Sequence, residues 1–423
     1  MIRLGSDKKE FYSPCHFHFV GRVRPSDCSL TGTKIFSIFP HNMFFVDVNT
    51  FYNPYAGGIR TYHRAKMDWF KNHPEHSYMV VGPADKTEKI QLEPNVTYWK
   101  LKGIKAQKHP NGYKFMFNLR PLIKFLKDYP NAVIEIGDPW WTSLVFTRLR
   151  RWKKLPNPLN FFHHTHPLVC YIKPWAEKGA FSFIKKIAYK ILDKHFYKQF
   201  KNYDDLIVSS KFARLLLEEK KLSNIVEFPF GAPDSFFKGY REKTRSENEP
   251  LRLIYAGRLQ NDKDVFLLIK GIPILMQDPQ IHITVMGHGA EMGFFENFKH
   301  PQFRYLGYIQ DKLIIENEFR NHHILLATSP NETFGLSILE AMAMGMPVIG
   351  PDMGAAFELL QKLENNLIYK TKSVESFVEM VKAAKSIDLG KYSKEARRVA
   401  ELYGTWENAM SRQMNYYIEK YNA

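Results

Sequence analysis

The stretch SPNETFGLSILEAMAMGMPVIG, Ser329 to Gly350, decides the fold. It follows the short apolar run HILLAT (323–328) and ends on another, MPVIG (346–350), with a helical pattern rich in small residues between them. Working outward, the runs LRLIYAG (251–257), IHITVMG (281–287) and FRYLGY (303–308) repeat the plan upstream. The first half has its own series: MFFVDV (43–48), YMVVG (78–82), AVIEIG (132–137), NFFHH (160–164) and DLIVSS (205–210). Strands alternating with helices imply parallel sheets covered on both faces. The expected fold class is therefore α/β, with two Rossmann-like doubly wound domains facing a cleft.

The boundaries follow from composition. A polar stretch without apolar period, KGYREKTRSENEP (238–250), reads as a linker between a domain at 43–237 and another at 251–403. Residues 404–423 hold WENAMSRQMNYYIEKY, whose helical spacing predicts a terminal helix crossing back to the first domain. Residues 1–42 carry no clear period and are expected to be an uncertain extension, or to precede a natural start at Met43. A chain of 423 residues has room for two cores. No run reaches the ~20 apolar residues of a membrane-spanning helix. The N-terminus lacks a secretory apolar core, and Cys15, Cys28 and Cys170 have no metal-ligand spacing. A cytoplasmic location fits these features.

The net charge of +17 is unevenly placed, because residues 1–237 hold 37 Lys and Arg against 20 Asp and Glu, while the remainder holds 23 of each. Such a basic half fits nucleic acid, an anionic membrane surface or a phosphorylated substrate. No nucleic-acid-binding module is recognisable, so nucleic acid is not the expected partner.

The chemistry-bearing residues fall in four clusters. Glu332 and Glu340 flank the turn at Gly335, where carboxylates suit hydroxyl-rich ligands. The amides of Thr333, Phe334, Gly335 and Leu336 stand at a helix N-terminus, which favours phosphate. Spacing alone is equally compatible with two solvated helix carboxylates. Arg258 and Lys263, in YAGRLQNDKD (255–264), leave the first strand of the second domain at the edge where open α/β sheets bind ligands, and two cations there match a diphosphate. Taken alone, such a pair is more often surface charge. Gly287 and Gly289 form a G-x-G after another strand without the third glycine of a dinucleotide fingerprint. In NPYAGGIRTYHRAK (53–66), Gly57 and Gly58 precede a helix and allow close backbone approach.

Together, GG-I, then GR-L-x(3)-K, then G-x-G, then E-x(7)-E with FG-L and EAMA-x-G-x-PVIG, resemble the large family of retaining GT-B glycosyltransferases commonly called family 4. The resemblance runs from about Phe44 to Tyr417 and takes in FPFGAPDSFF (228–237) and TWENA (405–409). It implies a hexosyltransferase that uses a UDP- or GDP-linked sugar as co-substrate, with no cofactor. Glu332 would hold donor sugar hydroxyls with the backbone at 333–335, and Glu340 the ribose. Arg258 and Lys263 would neutralise the diphosphate, helped by Gly57 and Gly58, with Gly287 near the base. His164, flanked by His163 and His166, aligns best with the family histidine near sugar and acceptor. Asp264 stands where the family usually has Gly, and Phe230 where Asn is common. With no DxD-like pair, no catalytic metal is expected.

Acceptors of this class generally bind the first domain. Phe183 to Lys201 reads as a helix with Ile184, Ile187, Ala188, Ile191, Leu192 and Phe196 on one face and lysines off it. Such a helix can lie on an anionic bilayer; RLRRWKK (148–154) would add to it. A lipid-linked or cell-envelope glycan acceptor is the expectation, on the inner face of the cytoplasmic membrane. The competing readings are a sugar-nucleotide epimerase or a phosphorylase on the same fold.

Overall fold

The computed structural model describes residues 43–52, 57–105, 114–164, 168 and 182–422. The expectations for residues 1–42, for His166 and for the three cysteines lie outside them.

The first half builds an eight-stranded sheet in the order β10-β9-β8-β7-β1-β2-β4-β3 among the described residues. Its strands are β1 (Phe44–Val48), β2 (Ser77–Ala84), β3 (Glu88–Glu93), β4 (Val96–Lys102), β7 (Val133–Ile136), β8 (Leu159–Phe162), β9 (Asp205–Val208) and β10 (Ile225–Glu227). A small hairpin, β5 (Ile104–Lys105) with β6 (Lys114–Phe115), stands apart. Every pairing in the large sheet is parallel except β3 with β4. The second half builds a wholly parallel sheet, β13-β12-β11-β14-β15-β16. Its strands are β11 (Leu251–Ala256), β12 (Ile281–Met286), β13 (Phe303–Gly307), β14 (Ile324–Leu326), β15 (Val348–Pro351) and β16 (Leu367–Tyr369).

All ten apolar runs read from the sequence became strands. The run EKIQLE was missed because β3 is an edge strand with no buried residue, half of whose residues are charged, a composition that keeps edges from pairing with other chains. Within β1 and β7, every residue from Phe45 to Val48 and from Val133 to Ile136 is buried, Asp47 and Glu135 included. Strands buried on both faces are ordinarily apolar throughout, so these two acids demand partners.

The partners come from both ends of the chain. Lys66, 1% exposed on helix Gly57–Asn72, donates to both Asp47 oxygens at 3.1 and 2.8 Å and to Glu135 Oε1 at 2.9 Å. Tyr78 OH donates to Asp47 at 2.8 Å. Gln413 Nε2 and Tyr417 OH, on the terminal helix Trp406–Tyr421, each donate to Glu135 Oε2 at 2.9 Å. Burial alone would raise the Asp47 pKa, but Lys66 and His63 outweigh it and hold the group down at about 2.

Each sheet reverses its winding once. In the second half β11 runs out to β12 and β13 on one side, whereas β14, β15 and β16 continue on the other, so the switch lies between β11 and β14. In the first half it lies between β1 and β7. Ligands of open α/β sheets bind outside the carboxyl ends of the strands at such points.

The chain passes between the halves twice, at one place. Ala232 N donates to Gly404 O at 3.0 Å and Trp406 N to Ala232 O at 3.1 Å. A Cβ at Gly231 would lie 2.1 Å from Thr405 O, so only glycine lets the two segments touch. Phe230, in the family's usual Asn position, is a buried wedge here: its ring centroid is 5.0 Å from Phe334, 5.1 Å from Trp406 and 5.5 Å from Tyr62. The stretch read as a polar linker is pinned to the second half, because Lys243 is buried and donates to Phe319 O at 2.7 Å and to Arg320 O at 3.0 Å. That burial pushes its ammonium pKa down to about 8.

Candidate active site

The loops that carry Arg258, Lys263 and Glu332 sit at the switch point of the second sheet. Arg258 and Lys263 follow β11, and Glu332 follows β14, the two strands that flank the reversal. The two loops are tied together: Thr328 Oγ1 donates to Lys263 O, Ser329 Oγ to Asp262 O at 3.3 Å, and Tyr255 OH to Arg258 O at 2.9 Å. Lys263 Nζ forms an ion pair with Glu332, and Arg258 reaches Asp262 and Gln260. Both cations therefore already face carboxylates, and a diphosphate entering between them would compete for the same N–H groups.

Gly335, at φ +92°, is the N-cap of helix Leu336–Ala343 with no side-chain cap. The amides of Thr333, Phe334, Gly335 and Leu336 donate to no acceptor among the described residues, whereas Ile338 N and Leu339 N both close on Gly335 O. Four unpaired donors at a helix start form an anion-binding end. Glu340 lies one turn further along the same helix; burial pushes its carboxyl up to about 7, with Lys312 opposing.

Gly287 has a structural task. At φ +152°, a Cβ there would lie 1.8 Å from Gly257 O, so the glycine makes room for the loop that carries Arg258. Asp264 follows Lys263 at φ +50°. This left-handed conformation explains why glycine is usual there in the family, and aspartate is among the few other residues that tolerate it.

Besides Phe230 on Phe334, the first half meets this loop through Gly58, His164, Ser209 and Ser210. A Cβ at Gly58 would be 3.3 Å from Leu336 Cδ1. Thr333 Oγ1 donates to His164 O at 2.8 Å, and Ser210 Oγ donates to Thr333 O at 2.6 Å. Glu358 adds a further tie by accepting from Phe212 N at 2.9 Å, at the start of helix Lys211–Glu218. Gly57 and Gly58 are the first residues of their helix rather than preceding it. Of the histidines, His163 is fully buried, while His164 is partly buried beside Tyr62 and stacks on Phe162 at 4.4 Å. Burial lowers the His164 pKa well below the usual histidine value, and its Nε2 has no hydrogen-bond partner among the described residues. Sequence reading missed Ser210 and Glu358; the signal for Ser210 was its place as an N-cap before the apolar run of KFARLLLE.

Two doubly wound sheets whose carboxyl edges meet at a helix start with open amides have the GT-B architecture. The family model for glycosyl transferases group 1 matches residues 250–384. Over 378 residues, 87% of this chain and 94% of the relative, the chain is 24% identical to a GDP-mannose-dependent alpha-(1-6)-phosphatidylinositol dimannoside mannosyltransferase of Mycobacterium tuberculosis. It is 28% identical over 174 residues, 39% of this chain and 35% of the relative, to one of the polypeptides of the human phosphatidylinositol N-acetylglucosaminyltransferase. Sucrose-phosphate synthase from Thermosynechococcus elongatus shares the fold at a TM-score of 0.68 and 17% identity, covering 90% of this chain and 99% of that one. A trehalose-6-phosphate protein from E. coli bound with UDP-2-fluoro glucose does so at 0.64 and 14%, covering 88% and 98%. Residues 250–384 thus match the glycosyl transferases group 1 model, and the chain as a whole is similar in fold to GT-B glycosyltransferases.

Proposed function

We propose that the enzyme moves a hexose from a nucleotide-diphosphate sugar to a lipid-linked or cell-envelope glycan acceptor, with retention of anomeric configuration and without a metal ion. The observation that carries this reading is the convergence of Arg258, Lys263, Glu332 and the open 333–336 amides on one switch point, with Gly58 and His164 opposite. In this mechanism the diphosphate lies on the amides and between the two cations, whose fixed charge stabilises the departing β-phosphate. Glu332 accepts from donor sugar hydroxyls. The acceptor hydroxyl attacks the anomeric carbon from the face the leaving group departs and gives its proton to the departing phosphate oxygen, so no protein nucleophile takes part. A hydroxyl that reaches His164 Nε2 would satisfy a buried nitrogen whose isolation costs about 1–3 kcal/mol. The mannosyltransferase likeness makes GDP-mannose the first donor to try, followed by UDP-linked hexoses. Release of GDP or UDP above background with one of them is the expected result, and no release with any would refute the reading.

Glu340 supplies a pH test. A ribose diol donates two hydrogen bonds best to an ionised carboxylate, and this carboxyl ionises only near its raised value of about 7. Nucleotide affinity should therefore strengthen from about pH 6 to about pH 8, with a proton released on binding. In Glu340→Gln that dependence should flatten; titration calorimetry with GDP at both pH values reads it, and an unchanged slope would remove Glu340 from the ribose.

The acceptor assignment leans on helix Ser182–Phe196. Phe196 is buried, but Phe183 is 75% exposed, Ile184 61% and Ile191 58%, beside Lys186 and Lys190. Apolar residues held in water among lysines fit the headgroup region of an anionic bilayer. No helix of the described residues is long and apolar enough to cross a membrane. The protein should sediment with phosphatidylglycerol-rich vesicles and not with phosphatidylcholine alone, and Ile184→Ser with Ile191→Ser should abolish it. Absence of binding at low salt would reject this docking.

A further inference from the structure

The switch point of the first sheet carries an aromatic pair that the donor chemistry does not use. Trp141 opens helix Trp141–Arg151 directly after β7, and Phe117 lies in the segment leading into helix Arg120–Lys127. Both helices begin at the carboxyl edge of the sheet, since one follows a parallel strand and the other runs back toward β7. Trp141 is 41% exposed and Phe117 49%. Their ring centroids lie 6.1 Å apart at 56°.

The pair is held in place. Trp141 Nε1 donates to Phe117 O at 3.1 Å, which fixes one aromatic residue to the backbone of the other. The Phe115 ring also lies 6.1 Å from that of Phe117. The turn before Trp141 is anchored through Asp138, which accepts from Thr50 Oγ1 at 2.6 Å and from Trp140 N at 3.1 Å. Trp140 packs on Phe196 at 5.2 Å. Two large rings thus stay turned to solvent on a braced support, although burying them would be favourable.

Their position selects the ligand. In sheet order β7 lies between β1 and β8. The segment after β1 approaches the donor loop at Leu336, and the segment after β8 bonds to it at Thr333. The residues after β7 therefore emerge between two places where the halves meet over the donor site.

We propose that Trp141 and Phe117 form a stacking platform for a pyranose ring of the acceptor. One face of a pyranose presents C–H groups, whose partial positive charge complements the negative face of an aromatic ring. Because the indole N–H is already committed to Phe117 O, the ring offers its face and not a hydrogen bond. Such a surface recognises a sugar ring while leaving the hydroxyl that reacts to other groups. The proposal rests on the reading of this edge as the acceptor side.

The test uses octyl α-D-mannopyranoside and octyl β-D-glucopyranoside, below micelle formation, titrated into the full chain by saturation-transfer NMR. Trp141→Ala should weaken binding of at least one glycoside by about tenfold and Phe117→Ala by a smaller factor, while Trp141→Tyr stays near wild type. Melting curves identify a variant that has lost its fold, and Phe117→Ala, outside any helix or strand, provides a second route. GDP-mannose and UDP-glucose titrations should be unchanged in all three. If the nucleotide sugars fail to bind while Trp141-dependent glycoside binding persists, the donor reading falls and the platform stands. Equal binding by wild type and Trp141→Ala, or no binding of either glycoside to wild type, would each overturn the platform.

Discussion

Replacing Lys263 by alanine is expected to lower turnover by about 10²-fold or more, the effect of removing one charge contact made in the transition state. Arg258→Ala should act similarly. The ion pair of Lys263 with Glu332 gives the experiment a second arm. If the ammonium serves only to neutralise that carboxylate, Glu332→Gln in the Lys263→Ala background restores activity. If it stabilises the departing phosphate, the double variant is no faster than the single one. Single-turnover rates at saturating donor separate these outcomes, and near wild-type rates for both Arg258→Ala and Lys263→Ala would remove the cations from the chemistry.

Lys66→Met should destabilise the protein by about 3–5 kcal/mol, because deletion of one partner leaves Asp47 and Glu135 buried without a cation. In the wild type the Asp47 pKa is lowered from 3.8 to about 2, so its contribution is complete above the unfolded value and is lost as pH falls through the folded one. In the variant the sign reverses, since both carboxyls then prefer to be protonated in the folded state. Urea midpoints should show a deficit that is largest near neutral pH and shrinks on acidification. A variant as stable as wild type at neutral pH would contradict the energetic account of this cluster.

The alternation of short apolar runs with helical patterns was enough to place ten strands, because buried parallel strands and amphipathic helices leave opposite periodicities. The grouping of Arg258, Lys263 and Glu332 was legible for a related reason: they stand in loops directly after strands, at the edge where open α/β sheets gather their loops. Residues that bridge the halves were not legible. Ser210 and Thr333 are far apart in the chain and meet only through topology, as do Lys66 and Gln413, which converge on Glu135. The pattern around Ile184 marked an apolar face, and its exposure agrees with the reading that no other part of the described chain packs on it, although periodicity alone does not say what covers a face. The aromatic pair at Phe117 and Trp141 escaped notice because each residue alone reads as core.

The terminal helix has a consequence for how the protein is made. Trp406, Met410, Met414 and Tyr417 belong to the same core as Phe45, Tyr62 and Trp69, and Gln413 and Tyr417 complete the bonding of Glu135. The first half therefore cannot finish its interior when its own last strand emerges from the ribosome. It must wait for nearly all of the second half to be synthesised, an interval of roughly 10–40 s at typical elongation rates. During that time the apolar face of helix Gly57–Asn72 that later receives the terminal helix stays uncovered, and a nascent chain stalled before Trp406 would be a natural client for chaperones.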